Sequence, residues 1–414
     1  MQKKFLSQYE EMLLKNLKCS SSDSDNIPDH VLVEYMKKSN LSSMEGFYQE
    51  ILDFERNGID NSEKPVGFFC NIVPEEIMLA CSLRPVRLCC EDYGCGSKGE
   101  EIVPGDICPV IKSICGKFYS NTYDNLEVVV IPGTCDPKAK LAEILSPVKQ
   151  VYFLDIGRNS EYLGNVDVWE KKYTQFFQFL KETFHCNAGR RQLLSACKLT
   201  NARTEIFRSI YQLRAEQPDS INVFDYYIMM YAGFFMKVEK WNALAGKVYR
   251  QAKQIHKFVD KPRVLLAGTP VIFPNFKIID VMEESGLKMA ADLQCISFGR
   301  FYNPVLIDEE TEAGILRALT LKDIAGSMCP CMLNLEKLVN LMIDTVNQYK
   351  LDGIIYYNLR LCQVFELQTA LIRQILKEKG IPFLSIKTDL GKEDTGQLKT
   401  RMEAFREMIE SRKV

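Results

Sequence analysis

The residues with most chemistry to offer in this chain are its 15 cysteines, set against only 3 histidines. Several cysteines follow apolar runs of strand length. LEVVVIPGTC puts Cys135 just past one such run, KMAADLQC does the same for Cys295, and GIIYYNLRLC puts Cys362 a few residues past another. In open α/β sheets ligands bind in the crevice beyond the carboxyl ends of strands, so thiols placed there can converge. Cys108 in GDICP, and Cys329 and Cys331 in SMCPCMLN, sit in proline-containing loops that lead into helices. Free backbone N–H groups and the positive end of a helix dipole favour anionic thiolates and sulfides at such places. The chemistry this fits is iron–sulfur ligation. Zinc fits less well, because no pair of C-x-x-C knuckles occurs and only His30, His185 and His256 could add nitrogen ligands. Any one cysteine taken alone reads first as a core residue, since free cysteine is among the most buried side chains. Placement is what argues for chemistry.

Other motifs carry less. Gly94-Cys95-Gly96-Ser97-Lys98-Gly99 satisfies G-x-G-x-x-G, yet Pro104 and Gly105 soon interrupt the sequence, so no long helix opens there for a dinucleotide and a flexible glycine turn is expected. No G-x-x-x-x-G-K-[ST] occurs, so ATP hydrolysis through a P-loop is not expected of this chain. Glu75 and Glu76 after Pro74 could bring a carboxylate near a redox centre for proton delivery, with Glu75 the candidate. Acids after a first-turn proline also simply satisfy the helix dipole. His185 beside Cys186 reads as a surface or packing pair, and Phe118, Tyr119 and Tyr123 near Cys115 as core.

Rigid elements must present these thiols. From Val66 onward short apolar runs alternate with amphipathic segments, namely VGFFCNIV, LEVVVIP and VYFLDIG, then RVLLAGTP, KMAADLQC, DGIIYYN and PFLSIKTD. That rhythm indicates parallel βαβ units. The expected architecture is α/β, two doubly wound parallel-sheet domains with a helical arm and a helical middle. Residues 1–62 form the arm, with the polar stretch SSSDSDNIPD inside it; 63–165 the first α/β domain; 166–258 a helical segment that links or completes it; and 259–414 the second α/β domain.

The bulk composition narrows the partners. The chain has 414 residues, 46% of them hydrophobic, with 26% charged and a formal net charge of -2 spread along its length. No block of charge suggests a grip on nucleic acid or an anionic membrane. The longest apolar run, YYIMMYAGFFM, is too short to span a bilayer, and MQKKFLSQYEEMLLKN has no secretory pattern. A cytoplasmic, reducing setting is expected, in which structural disulfides are rare.

In chain order, VPEEIMLACSLRPVRL, ICPVIKSICG, PGTCDPKAK, GTPVIFPNFKIIDVMEESG with DLQC and Arg300, DGIIYYNLRLC, IPFLSIKTD and GQLKTRMEAFREMI resemble the 2-hydroxyacyl-CoA dehydratase and benzoyl-CoA reductase group from about Val66 to the C-terminus. The resemblance implies flavodoxin-like halves holding one 4Fe-4S cluster through three cysteines, at positions matching Cys108, Cys135 and Cys362. The CPCM run with Asn334 resembles a homodimeric branch, the double-cubane cluster proteins. Leu335 and Glu336 depart from it where a proline and a nearby arginine would stand. That branch implies an eight-iron double cubane with six thiolates, at positions matching Cys108, Cys135, Cys295, Cys329, Cys331 and Cys362, with Cys81, Cys90 and Cys95 in reserve. It also implies a homodimer in anaerobic metabolism, a small or activated substrate, and low-potential electrons from a separate ATP-dependent activating reductase with its own 4Fe-4S cluster. The alternatives are a subunit of an (R)-2-hydroxyacyl-CoA dehydratase with a single cubane, and an electron carrier or cluster scaffold without a substrate.

Overall fold

The structure is a computed structural model that describes residues 29–60, 63–119, 122–158, 164–255, 260–332 and 334–412. The part of the expected arm before residue 29, including most of the polar stretch, lies outside the described residues.

Two four-stranded parallel sheets organise the chain. The first contains β1 (Pro65–Phe68), β2 (Arg84–Arg87), β3 (Val128–Pro132) and β4 (Gln150–Leu154) in the order β2-β1-β3-β4. The second contains β5 (Arg263–Gly268), β6 (Lys288–Leu293), β7 (Gly353–Leu359) and β8 (Phe383–Thr388) in the order β6-β5-β7-β8. All six strand pairings are parallel. Each sheet therefore reverses its winding beside its first strand, between β1 and β3 or between β5 and β7, and that reversal opens a crevice at the carboxyl ends. The central strands VVVIP and GIIYYNL are buried at every position, as expected of strands covered on two faces. The apolar runs thus predict seven of the strands. The eighth, β2, is RPVR, an edge strand whose charge and proline hide it from a hydrophobic pattern.

Helices fill the connections. The arm contributes α1 (Asp29–Lys38) and α2 (Glu45–Asn57). The first sheet is followed through by α3 (Glu75–Ala80), α4 (Tyr93–Gly99), α5 (Pro109–Tyr119) and α6 (Asp136–Leu145). The middle is helical as expected, with α7 (Gly164–Phe184), α8 (Arg190–Glu216), α9 (Val223–Ala232) and α10 (Val238–Ala252). The second sheet carries α11 (Lys277–Glu284), α12 (Phe298–Phe301), α13 (Glu312–Gly326), α14 (Leu335–Tyr349), α15 (Gln363–Glu378) and α16 (Thr395–Ser411). Among the described residues no helix is long and apolar enough to cross a membrane.

The most apolar helix, α9, is buried along its whole length. Its polar tips are all satisfied internally. Asp225 accepts hydrogen bonds from Tyr48 (2.9 Å) and Ser39 (2.7 Å) of the arm, while Tyr226 donates to Asp292 of β6 (2.6 Å) and Tyr227 to Gln294 (2.9 Å) just beyond that strand. One helix thereby ties the arm to the second sheet. A further crossing is made by α13, whose Ile315, Leu316 and Leu319 share a core with Trp169 and Phe176 of α7 and Val128 of β3.

The glycine-rich run is not a turn. It forms the short helix α4, capped by Asp92, whose side chain accepts from the Cys95 N–H at 2.7 Å. Its glycines permit close packing on α5, because a Cβ on Gly99 would stand 1.9 Å from the Lys112 carbonyl oxygen. That contact fixes α5, and with it the loop that holds Cys108.

Candidate functional site

Cysteines follow five of the eight strands. Cys70 lies just beyond β1, Cys89 beyond β2, Cys135 beyond β3, Cys295 beyond β6 and Cys362 beyond β7. Cys108 leads into α5, and Cys329 and Cys331 occupy the connection between α13 and α14. All eight line a single cavity of about 110 Å³ between the sheets. Four come from the first half of the chain and four from the second.

Cys108, Cys135 and Cys362 repeat one local device. Each stands immediately before a helix, and the backbone N–H three residues on, at Ile111, Lys138 and Phe365, faces its sulfur and favours the thiolate. Serine or aspartate usually caps a helix in this way. Here a cysteine stands at that position without a side-chain capping bond, and its sulfur lies at the positive end of the dipole, which suits an anionic ligand.

The thiols also contact one another. Cys108 is hydrogen-bonded to Cys362, and this partner, opposed by burial, draws Cys108 below the ordinary thiol range while Cys362 is pushed up and keeps the proton. Cys331 lies between Cys135 and Cys329 and retains its proton, so that Cys135 falls to about 5 and Cys329 is also lowered. Burial pushes Cys295 up to about 12 and raises Cys70 as well. Two cations face these sulfurs. Lys138 Nζ lies 2.8 Å from Cys70 Sγ, and although burial alone would lower its pKa, the nearby Cys70, Cys135 and Cys329 raise it well above the usual value. Arg87 donates to the Cys295 carbonyl oxygen at 3.2 Å and approaches its Sγ at 3.6 Å.

Apolar side chains close much of the remaining wall, among them Phe69, Ile111, Leu293 and Phe365. Tyr356 reaches the cavity from β7 with a fully buried hydroxyl that has no hydrogen-bond partner. Burial, with Cys362 and Cys329 nearby, raises its pKa, so the phenol keeps its proton. The loop after β5 completes the rim. Gly268 there has φ +101° and a Cβ at that position would stand 2.1 Å from the Tyr357 carbonyl oxygen, so only glycine lets the chain pass this close to β7.

Among the described residues no three His, Cys, Asp or Glu side chains stand together as a ready-made metal site. The donor chemistry is nonetheless selective. Among the described residues no histidine or carboxylate lines the cavity, and the eight thiols are twice what a tetrahedral zinc site takes. Soft thiolates with buried cations beside them fit an anionic iron–sulfide group.

A sequence model of the family described as 2-hydroxyglutaryl-CoA dehydratase, D-component, matches residues 70–409. The chain belongs to this family. Within the dehydratase family it is similar to the putative dehydratase subunit YjiM of Escherichia coli, at 24% identity over 87% of this chain and 94% of that protein. It is 23% identical to one of the subunits of benzoyl-CoA reductase from Thauera aromatica, over 86% of this chain and 94% of that one. The beta subunit of (R)-2-hydroxyglutaryl-CoA dehydratase from Acidaminococcus fermentans is 22% identical, with 84% and 93% covered. These relatives are by name subunits of dehydratases or of a reductase, so the chain is enzyme-related.

The six cysteines singled out in the sequence thus line one cavity, but the expected reserves do not join them. Cys81 packs beside Cys186 in the core under α7, and Cys90 and Cys95 are hydrogen-bonded to each other outside the cavity wall. Cys70 and Cys89 stand there instead. The strand-end rule could have found Cys70, since VGFFC has the same form as the other runs, whereas Cys89 follows β2, which carries no apolar run. Glu75 is elsewhere too. It is buried between Arg203, with one oxygen at 3.1 Å and a closer contact to the other, and Arg300 at 3.3 Å. Burial would raise its pKa, but the two guanidiniums hold it far below the usual carboxylate range, so it carries no proton to deliver. Glu76 is likewise bound, to Lys322 (2.7 Å) and Thr200 (3.0 Å).

Proposed function

We propose that the chain is an iron–sulfur oxidoreductase that holds its cluster in the cysteine-lined cavity, receives low-potential electrons from an ATP-dependent activating reductase, and reduces a small or activated substrate as a cytoplasmic homodimer. The observation that carries this is the convergence of eight thiols, four from each half of the chain, on one cavity with no described histidine or carboxylate in its lining. Cys108, Cys135 and Cys362 would hold one cubane, and Cys295, Cys329 and Cys331 would hold a second. When bound, such a group supplies low-potential electrons and an iron able to act as a Lewis acid.

The protein's own contributions follow from the contacts described. Helix ends at Cys108 and Cys135 help hold thiolates before any metal arrives, so less proton release opposes loading there, while Cys362 gives up its proton on loading. Lys138 and Arg87 balance the negative charge that sulfides and thiolates bring to a water-poor site. Tyr356 offers an O–H to whatever electron-rich atom lies within its reach. The apolar wall keeps solvent from the reducing centre.

A second reading is favoured by the relatives named as dehydratase subunits. In it the chain carries a single cubane on Cys108, Cys135 and Cys362 and serves in water elimination from a 2-hydroxyacyl-CoA. Anaerobic iron and sulfide analysis separates the two, with about eight irons per chain for the first and about four for the second. Serine replacement of Cys295 or Cys331 is expected to remove about half of the iron, and Cys108→Ser to remove a comparable share. Unchanged iron in the Cys295 and Cys331 variants would take those residues out of the ligand set and leave the single-cubane reading. A folded, anaerobic preparation free of iron would end both.

A further inference from the structure

The cysteine cavity has a larger neighbour. Between the C-terminal end of α13 and the first half of α14 lies a pocket of about 520 Å³, in the size range of small-molecule sites. Met328 and Leu338 line both spaces and are almost entirely buried, so these two side chains form the partition. The other walls have a definite chemistry. Phe298 and Tyr302 stack with centroids 4.1 Å apart, and Ser327, itself 2% exposed, presents a buried Oγ without any hydrogen-bond partner.

Charge sets the class of ligand. The pocket carries two acids, Glu336 and Asp344, against one base, Lys337, whose Nζ donates to the Ala325 carbonyl oxygen at 2.6 Å. Glu336 lies in the first turn of α14 and already complements that helix end. A phosphorylated carrier such as coenzyme A needs several cations or an open helix N-terminus; this wall offers the single Lys337, which already donates to a carbonyl, and a helix end already complemented by Glu336.

We propose that this pocket is the entrance for a small, uncharged, partly apolar molecule, which passes Met328 and Leu338 to reach the cysteine cavity and is held on the way by Ser327 Oγ. Calling that molecule the substrate rests on the proposed function; the passage rests only on the two side chains that both cavities share.

Iron removal from the anaerobically purified protein tests it, with neutral 2,2′-bipyridine and the dianionic bathophenanthroline disulfonate as probes. Bipyridine is expected to strip iron several-fold faster than the sulfonated chelator. Met328→Ala should accelerate bipyridine, and Asn340→Trp, at an exposed position on the pocket wall, should slow it several-fold without disturbing the core. Reversing the wall charge with Glu336→Lys and Asp344→Lys should bring the anionic chelator up toward the neutral one. Equal rates for both chelators in the wild type, or a bipyridine rate untouched by both Met328→Ala and Asn340→Trp, overturns the proposal. Should the protein hold no iron, the cluster reading fails by itself, and the passage is then read from N-ethylmaleimide labelling of Cys329 and Cys331 relative to Cys186 in the same variants. Labelling that ignores the variants again overturns it.

Discussion

Tyr356 is the side chain in the cavity whose chemistry is least accounted for by the fold. A buried phenol without a partner costs about 1–3 kcal/mol relative to a satisfied one, so its retention in a fully buried strand points toward the cavity's contents. Tyr356→Phe is expected to leave the iron content unchanged and to move the midpoint potential of the bound cluster to more negative values, because a donor to an electron-rich centre has been lost. A redox titration followed by electron paramagnetic resonance checks this; an unchanged potential and spectrum would assign the hydroxyl a packing role only. At this scale the sequence was informative about type and poor about orientation. Cys135, Cys295 and Cys362 could be named because each follows an apolar run. Cys70 and Cys89 obey the same geometry, but a hydrophobic run that continues past Cys70 conceals where the strand stops. Glu75 was misplaced for a different reason: its partners Arg203 and Arg300 lie far along the chain, and no local pattern announces a buried ion pair between segments so distant.

The elements do their work through how closely they approach. Gly268 ends β5 at φ +101° against Tyr357, and the Thr269 N–H then donates to the Tyr357 carbonyl oxygen at 2.7 Å. Gly268→Ala is expected to cost about 2–4 kcal/mol, from backbone strain and overpacking together, and to lower iron retention because the cavity rim shifts. Urea unfolding and metal analysis read the two effects separately. Helix α9 gives a pH signature. Burial raises Asp225 to about 6, although Ser39 and Tyr48 donate to it and partly oppose the shift. In the unfolded chain an aspartate titrates near about 4, so between about 4 and 6 the native state binds the proton more tightly. The stability this provides is complete below the lower value and is lost as pH rises through the upper one. In Asp225→Asn the loss of stability from pH 4 to 7 should therefore be shallower than in the wild type, as read from unfolding midpoints; an identical pH slope would show that Asp225 is ionised in the native state. Seven strands were legible because each carries an apolar run, on both faces in the central strands β1, β3, β5 and β7. β2 was not, since an edge strand is free to spend its positions on arginine and proline, and the helix α4 was not, because glycines chosen for close packing look the same in sequence as glycines chosen for a bend.

Across the whole molecule the two sheets have the same strand order and meet at their carboxyl ends, and the thiols divide equally between them, with Cys70, Cys89, Cys108 and Cys135 on one side and Cys295, Cys329, Cys331 and Cys362 on the other. The α/β rhythm made this architecture readable in advance. How the halves fit together was not readable, because α13 and α9 cross between cores through contacts that no segment encodes alone. The equal division has a mechanical consequence. Anything that bonds to sulfurs of both sets is a rivet through the interface, and its binding free energy is added to the resistance of the halves to coming apart. Calorimetry of the iron-loaded protein should give one joint transition, and anaerobic stripping of the iron should lower it and resolve it into two. A stripped protein that melts at the same temperature in one step would mean that the helices hold the halves together unaided, and that the metal is cargo in the seam rather than its fastening.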